Sequence, residues 1–144
     1  MKQYFIGVDW GDQSNGVCTF DQDDQVVFQK QVANTPEGLA EFGRWLLECR
    51  GQGITLFAAI EKLEGRIIDF LLDHGVEVYP INPKAVDRAR DQYRANRAKS
   101  DLFDAWVLAN MLRRDHAHFS VLKPNSDQIA ELKILTLDPQ VFMS

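Results

Sequence analysis

The stretch "ITLFAAIE", Ile54 to Glu61, constrains the fold more than any other. Six of its first seven residues are apolar, with no alternation of polar and apolar positions. A strand with water on one face would alternate. A short run without alternation suits a central strand covered on both faces, as in α/β domains. It is also far too short to span a bilayer. The run ends on an acid, Glu61. "QYFIGVD", Gln3 to Asp9, has the same design: a buried strand that ends on an acid.

The remaining segments fit the same class. "VCTFD" and "QVVFQKQV", with the polar "DQDD" between them, predict a hairpin. "NTPEGLAEFGRWLLECRGQG" predicts a helix with Thr35 as N-cap, Pro36 at the first helical position, and Gly51 and Gly53 at the stop. "EGRIIDFLLDHG" predicts a second helix closed by Gly75. "VEVYPI" reads as a strand, and "NPKAVDRARDQYRA" as a short helix capped by Asn82. "SDLFDAWVLANMLRRD" predicts a strong helix with Ser100 as N-cap. The order β-β-β-α-β-α-β-α-α implies one α/β domain over residues 3–122. Its sheet is mixed, an antiparallel hairpin on one side and parallel strands on the other, flanked by helices. "NSDQIAELKIL" reads as the start of a further helix within 125–144, and "TLDPQVFMS" as an atypical tail.

Charge is unevenly spread. The whole chain carries a net charge of −5, which argues against indiscriminate nucleic-acid binding by its entire surface. Residues 82–114, however, hold 8 basic and 4 acidic side chains. The N-terminus meets an acid before any long apolar stretch forms, unlike a secretory signal. Cys18 and Cys49 have neither metal-ligand spacing nor disulfide density, which points to a reducing cytoplasm.

Asp9 and Glu61 would face each other if their strands are parallel neighbours, because such sheets present their carboxyl ends together. Asp101 and Asp104 are three residues apart and would project from one side of a helix. Packed across that sheet edge, the helix would complete a four-acid cluster. Two like charges about 5 Å apart repel by roughly 3 kcal/mol at an effective dielectric near 20. Four acids raise one another's pKa or require a cation. Oxygen ligands favour Mg²⁺ or Mn²⁺ over zinc, and two such ions are a standard device for in-line attack on a phosphodiester. Taken singly, each acid has a plainer reading. Asp9 could cap a turn, Glu61 could pair with Lys62 or Arg66, and Asp101 suits a helix's first turn.

"FIGVDWGD", "AAIEKLEG", "VEVYPINPKAV" and "RAKSDLFDAWVLANML" together resemble the N-terminal domain of the IS110/IS1111 transposases, which include the Piv-type invertases. The resemblance covers about residues 3–125, and "K-S-D-x-x-D-A-x-x-L-A" is its most specific part. It implies a RuvC-like, RNase H-like fold with a D-E-D-D tetrad at Asp9, Glu61, Asp101 and Asp104. These would be catalytic and bind divalent metal, Mg²⁺ or Mn²⁺, as two ions. It further implies cleavage and rejoining of DNA during transposition of an insertion element, with DNA as partner and, in some members, an element-encoded guide RNA. Family members continue into a second domain bearing a serine nucleophile. This sequence stops at Ser144, so the expectation is an excised domain, a truncated copy or a frameshifted product.

Lys84, Arg88, Arg90, Arg94, Arg97 and Lys99 would form a basic segment that feeds into the acid cluster and neutralises phosphates. Arg90, Arg94 and Arg97 could share one helical face, and Tyr93 could stack on a base or sugar. The plainer reading is a solvated helix with Asp87 and Asp91 in local ion pairs. Asp12 reads as turn-stabilising rather than as an extra ligand, and His116 and His118 as solvated. Trp10, Trp45 and Trp106 read as core or interface residues, and an exposed part of Trp106 would suit a homo-oligomer contact. Two other functions remain open. One is a noncatalytic truncated transposase that binds DNA or a full-length partner. The other is an actin-like nucleotide-binding phosphotransferase lobe, suggested by "GVDWGDQSNGV".

Overall fold

In the computed structural model, which describes residues 2–11, 13–61, 65–94 and 102–122, the two acid-ended strands are adjacent. β1 (Gln3–Asp9) and β4 (Thr55–Ile60) pair in parallel, with Val8 opposite Ile60. Asp9 and Glu61 each come one residue later. β2 (Ser14–Asp21) and β3 (Val26–Ala33) add to the other side of β1, both antiparallel. β5 (Glu77–Pro80) adds to β4 in parallel. The sheet order is β3-β2-β1-β4-β5, the mixed arrangement that the sequence predicts. β2 starts at Ser14, three residues before the predicted Val17.

The central strands are covered on both faces. Ile6, Val8, Leu56, Ala58 and Ile60 point to one layer, with Phe42 and Leu46 of α1 (Pro36–Gly51) and Ile67, Ile68 and Leu71 of α2 (Gly65–Asp73). Phe5, Phe57, Ala59 and Tyr79 point to the other. There they meet Val86 and Ala89 of α3 (Pro83–Arg94) and Val107, Leu108 and Leu112 of α4 (Phe103–Asp115). Residues of one strand alternate between the faces. Asp9 therefore shares the α4 side with Phe5 and Gly7, and Glu61 shares it with Phe57 and Ala59.

The predicted helix signals operate at three ends. The Thr35 hydroxyl accepts from the Gly38 N–H at 3.0 Å, and Asn82 Oδ1 accepts from the Lys84 N–H at 2.8 Å. Gly75 closes α2 at φ +75°, a backbone region that costs a side chain energy but not glycine. α4 begins at Phe103, and Leu102 at its N-cap makes no side-chain cap bond. The predicted cap, Ser100, lies outside the described residues, as does the segment 123–144. Asp104 thus stands in the first turn of α4. Asp101, and with it the expected pairing of Asp101 with Asp104, lies outside the described residues.

Candidate active site

Gly7 is the reason α4 reaches the acids. A Cβ at Gly7 would lie 2.0 Å from the Ala105 carbonyl oxygen and 2.6 Å from the Ala109 nitrogen. Only glycine lets the helix backbone settle on the strand so closely. The residues on either side of the crossing are small as well: Cys18 of β2 and Ala59 of β4 flank Gly7 in register. Ala105 and Ala109 complete the close-packed seam and are fully buried. Asp104, next to Ala105, is carried to the same sheet edge as Asp9 and Glu61.

The loop that leaves Asp9 is tied down on both sides. Buried Asn15 accepts from the Gly11 N–H at 3.1 Å, and Asn34 donates to the Gly11 carbonyl at 3.3 Å. Asp9 itself is half-buried. Asp12 lies outside the described residues.

Arg90 brings a cation to the cluster. Its Nη2 donates to Glu61 at 2.6 Å, its Nε to Asp104 at 2.8 Å and its Nη1 to Asp87 at 2.7 Å. The Arg90 side chain is 16% exposed, against 21% for Glu61 and 40% for Asp104. Burial works against its charge, but the hydrogen bonds to Glu61 and then Asp104 outweigh that cost and hold the guanidinium above its ordinary pKa. A strand-end acid and a helix acid, 43 residues apart in sequence, thus converge on one positive group. Glu61 thus has a partner distant in sequence, Arg90; Lys62 lies outside the described residues.

The basic segment is therefore arranged differently from the expected strip. Arg90 points into the acid cluster. Arg94, one turn further on, is exposed and 4.0 Å from Asp91, the local pairing of the plainer reading. Lys84 is exposed. Arg88 lies on the other edge of α3, where it lines a groove with Gln92, Tyr93, Asn110 and Arg114. Arg97, Lys99 and Asp101 lie outside the described residues. Tyr93 is engaged within the chain, edge-on to Trp106 at 5.1 Å, and its hydroxyl accepts from Arg114. Trp106 also meets Phe20. His116 is not simply solvated: its ring is half-buried against Phe5 and Phe57, at 5.2 and 5.3 Å. His118 is exposed. Arg114 and Gly7 were not singled out from the sequence. Arg114 falls at a helix end, where a basic residue needs no special reason, and a lone glycine in a strand signals only some close approach.

Among the described residues, no three His, Cys, Asp or Glu side chains are grouped so as to hold a metal ion together. The donor chemistry nevertheless fits a hard divalent cation. Glu61 and Asp104 offer carboxylate oxygens only, and both already share a cationic partner.

A mixed five-stranded sheet in the order β3-β2-β1-β4-β5, with helices on both faces, is an RNase H-like fold. It matches the fold of RuvC from Thermus thermophilus. One such structure, of RuvC in complex with a Holliday junction substrate, aligns at TM-score 0.58 and 17% identity, covering 85% of this chain and 99% of that one. A second, of the protein described as Thermus thermophilus RuvC structure, aligns at TM-score 0.55 and 17% identity, covering 85% and 100%.

The chain belongs to the DEDD transposase family of IS110, whose model, described as transposase, matches residues 6–140. It is 35% identical over 135 residues to y4uE of Sinorhizobium fredii, a protein named as a transposase, covering 92% of this chain and 38% of that protein. It is 34% identical over 116 residues to the Streptomyces coelicolor protein named as the mini-circle transposase for IS117, covering 79% and 28%. The chain thus spans less than two fifths of either relative.

Proposed function

We propose that this chain is the RuvC-like catalytic domain of a DNA transposase, and that Asp9, Glu61, Asp101 and Asp104 hold divalent metal for cleavage of DNA strands. The observation that carries the reading is the convergence of Glu61 and Asp104 on a single cation, beside the strand end that bears Asp9. Membership of the transposase family favours this reading over a nucleotide-binding phosphotransferase.

The residues divide the work by charge. The carboxylates would hold Mg²⁺ or Mn²⁺, and a pair of ions would activate the attacking oxygen and stabilise the leaving oxygen at a scissile phosphodiester. The sheet ends and the Gly7 seam keep Asp9, Glu61 and Asp104 in place, so little rearrangement is required as charge develops. Exposed cations on α3 and α4, namely Lys84, Arg88, Arg94 and Arg114, with Arg97 and Lys99 in the connecting segment, would neutralise the phosphates of bound DNA. The RuvC neighbour is bound to a branched junction, which makes branched DNA the substrate to try first. Rejoining, target choice and use of a guide RNA belong to the proposal for the full-length relatives.

The test is strand cleavage of branched DNA by the purified chain with Mn²⁺. Glu61→Gln and Asp104→Asn should each lower the rate by about 100-fold or more if these acids hold the metal. Cleavage at wild-type rate by both variants would refute the assignment. DNA binding without any Mn²⁺-dependent cleavage by the wild type would support the noncatalytic module instead.

A further inference from the structure

Arg90 makes three contacts of two kinds. Nε and Nη2 reach across to Asp104 of α4 and Glu61 at the end of β4. Nη1 stays on its own helix, with Asp87, one turn back and 68% exposed. The guanidinium is therefore joined to the acid cluster on one side and has a solvent-facing partner on the other. A guanidinium and a hard divalent ion seek the same carboxylate oxygens. They also repel each other, so both cannot sit between Glu61 and Asp104.

We infer that Arg90 is a built-in counter-ion that competes with divalent metal for Glu61 and Asp104, giving the site two settings. In one, Arg90 spans the two acids and holds them in place. In the other, Arg90 turns outward onto Asp87 and solvent, and the freed oxygens take the metal. Asp87 matters because it keeps one charged partner within reach of the guanidinium in both settings. This inference rests on the reading of Glu61 and Asp104 as metal ligands. It assigns Arg90 as a positioning residue for that site, in place of the phosphate contact that its helical spacing suggests.

The experiment is a Mn²⁺ titration of the full chain, reading free Mn²⁺ by electron paramagnetic resonance, on wild type, Arg90→Gln, Arg90→Lys, Glu61→Gln and Asp104→Asn. If the closed setting is about 90% populated, Arg90→Gln binds about tenfold more tightly than wild type. Arg90→Lys falls between, because a point charge cannot span both oxygens in a fork. Glu61→Gln and Asp104→Asn bind more weakly. Equal or weaker binding by Arg90→Gln, with both acid variants still weakened, overturns the competition and leaves the ligand assignment standing. Wild-type binding by both acid variants overturns the ligand assignment, and the competition with it. A second measurement needs no variant: the Arg90 Nε–H signal in a ¹H–¹⁵N spectrum, followed as Mg²⁺ is added up to saturation. Release from Asp104 shifts the signal or broadens it away; an unchanged signal at saturation overturns the inference.

Discussion

Arg90 shows how one residue can hold a set of like charges together. Glu61 and Asp104 would repel across the sheet edge, and the guanidinium between them offsets that repulsion. Removing it without metal leaves two part-buried carboxylates with no shared partner. Arg90→Gln should therefore lower stability in EDTA by about 1–2 kcal/mol, a figure reduced because Asp104 is well exposed. Mn²⁺ should then raise the melting temperature of the variant by more than it raises that of wild type. Equal Mn²⁺ shifts in the two proteins would separate Arg90 from the metal site. The acids were legible in the sequence because each of Asp9 and Glu61 ends an apolar run, where a charge is out of place. Arg90 was legible only as one cation among several. Spacing gave its helical face, but nothing local could say that this edge of α3 meets the end of β4.

At the scale of elements, the crossing of α4 over β1 sets the site. Gly7, Ala105 and Ala109 let the two backbones touch, and any larger residue pushes them apart. Gly7→Ala should cost about 1–3 kcal/mol by overpacking. It should also weaken Mn²⁺ binding, although it alters no ligand, because Asp104 moves with its helix. A Gly7→Ala protein with lowered melting temperature but unchanged Mn²⁺ affinity would mean that the crossing is structural only. Thr35→Ala, at the start of α1 on the opposite face, is the contrast. It should cost about 1 kcal/mol by loss of a cap and leave metal affinity unchanged.

The elements themselves were readable, and for local reasons. Thr35, Asn82 and Gly75 act through their own backbone neighbours, so their signals needed no tertiary information. Ser100 has the chemistry of a cap but lies outside the described residues, and the described helix begins at Phe103. His116 shows where local signals stop. It follows a helix end in the sequence, but the fold folds it back onto Phe5 and Phe57.

Over the whole molecule, the two buried layers predict a definite alkaline response. Burial, and then the Glu48 charge, push the Cys49 thiol up to about 11. Burial also raises Tyr4 and Tyr79, with smaller contributions from nearby acidic groups. All three favour the protonated form in the folded chain more than in the unfolded one. The unfolded chain therefore loses protons first as pH rises, and stability falls. The stabilisation from Cys49 is complete below about pH 8.5, the thiol's unperturbed range, and is lost as pH rises through about 11. Melting temperature should decline across that window, and Cys49→Ala should flatten part of the decline. A flat profile in wild type would contradict the burial of these groups.

The architecture as a whole was legible because its order of strands and helices has few compact solutions. Three strands followed by alternation leaves the mixed sheet, with β1 and β4 at its centre. That topology brings Asp9 and Glu61 together with no further information. Anomalous diffraction from crystals of the chain grown with Mn²⁺ tests that meeting of acids directly. Manganese peaks are expected among the carboxylates of Asp9, Glu61 and Asp104, with Arg90 turned away toward Asp87. Fully occupied manganese elsewhere, with Arg90 still spanning Glu61 and Asp104, would contradict their assignment as metal ligands.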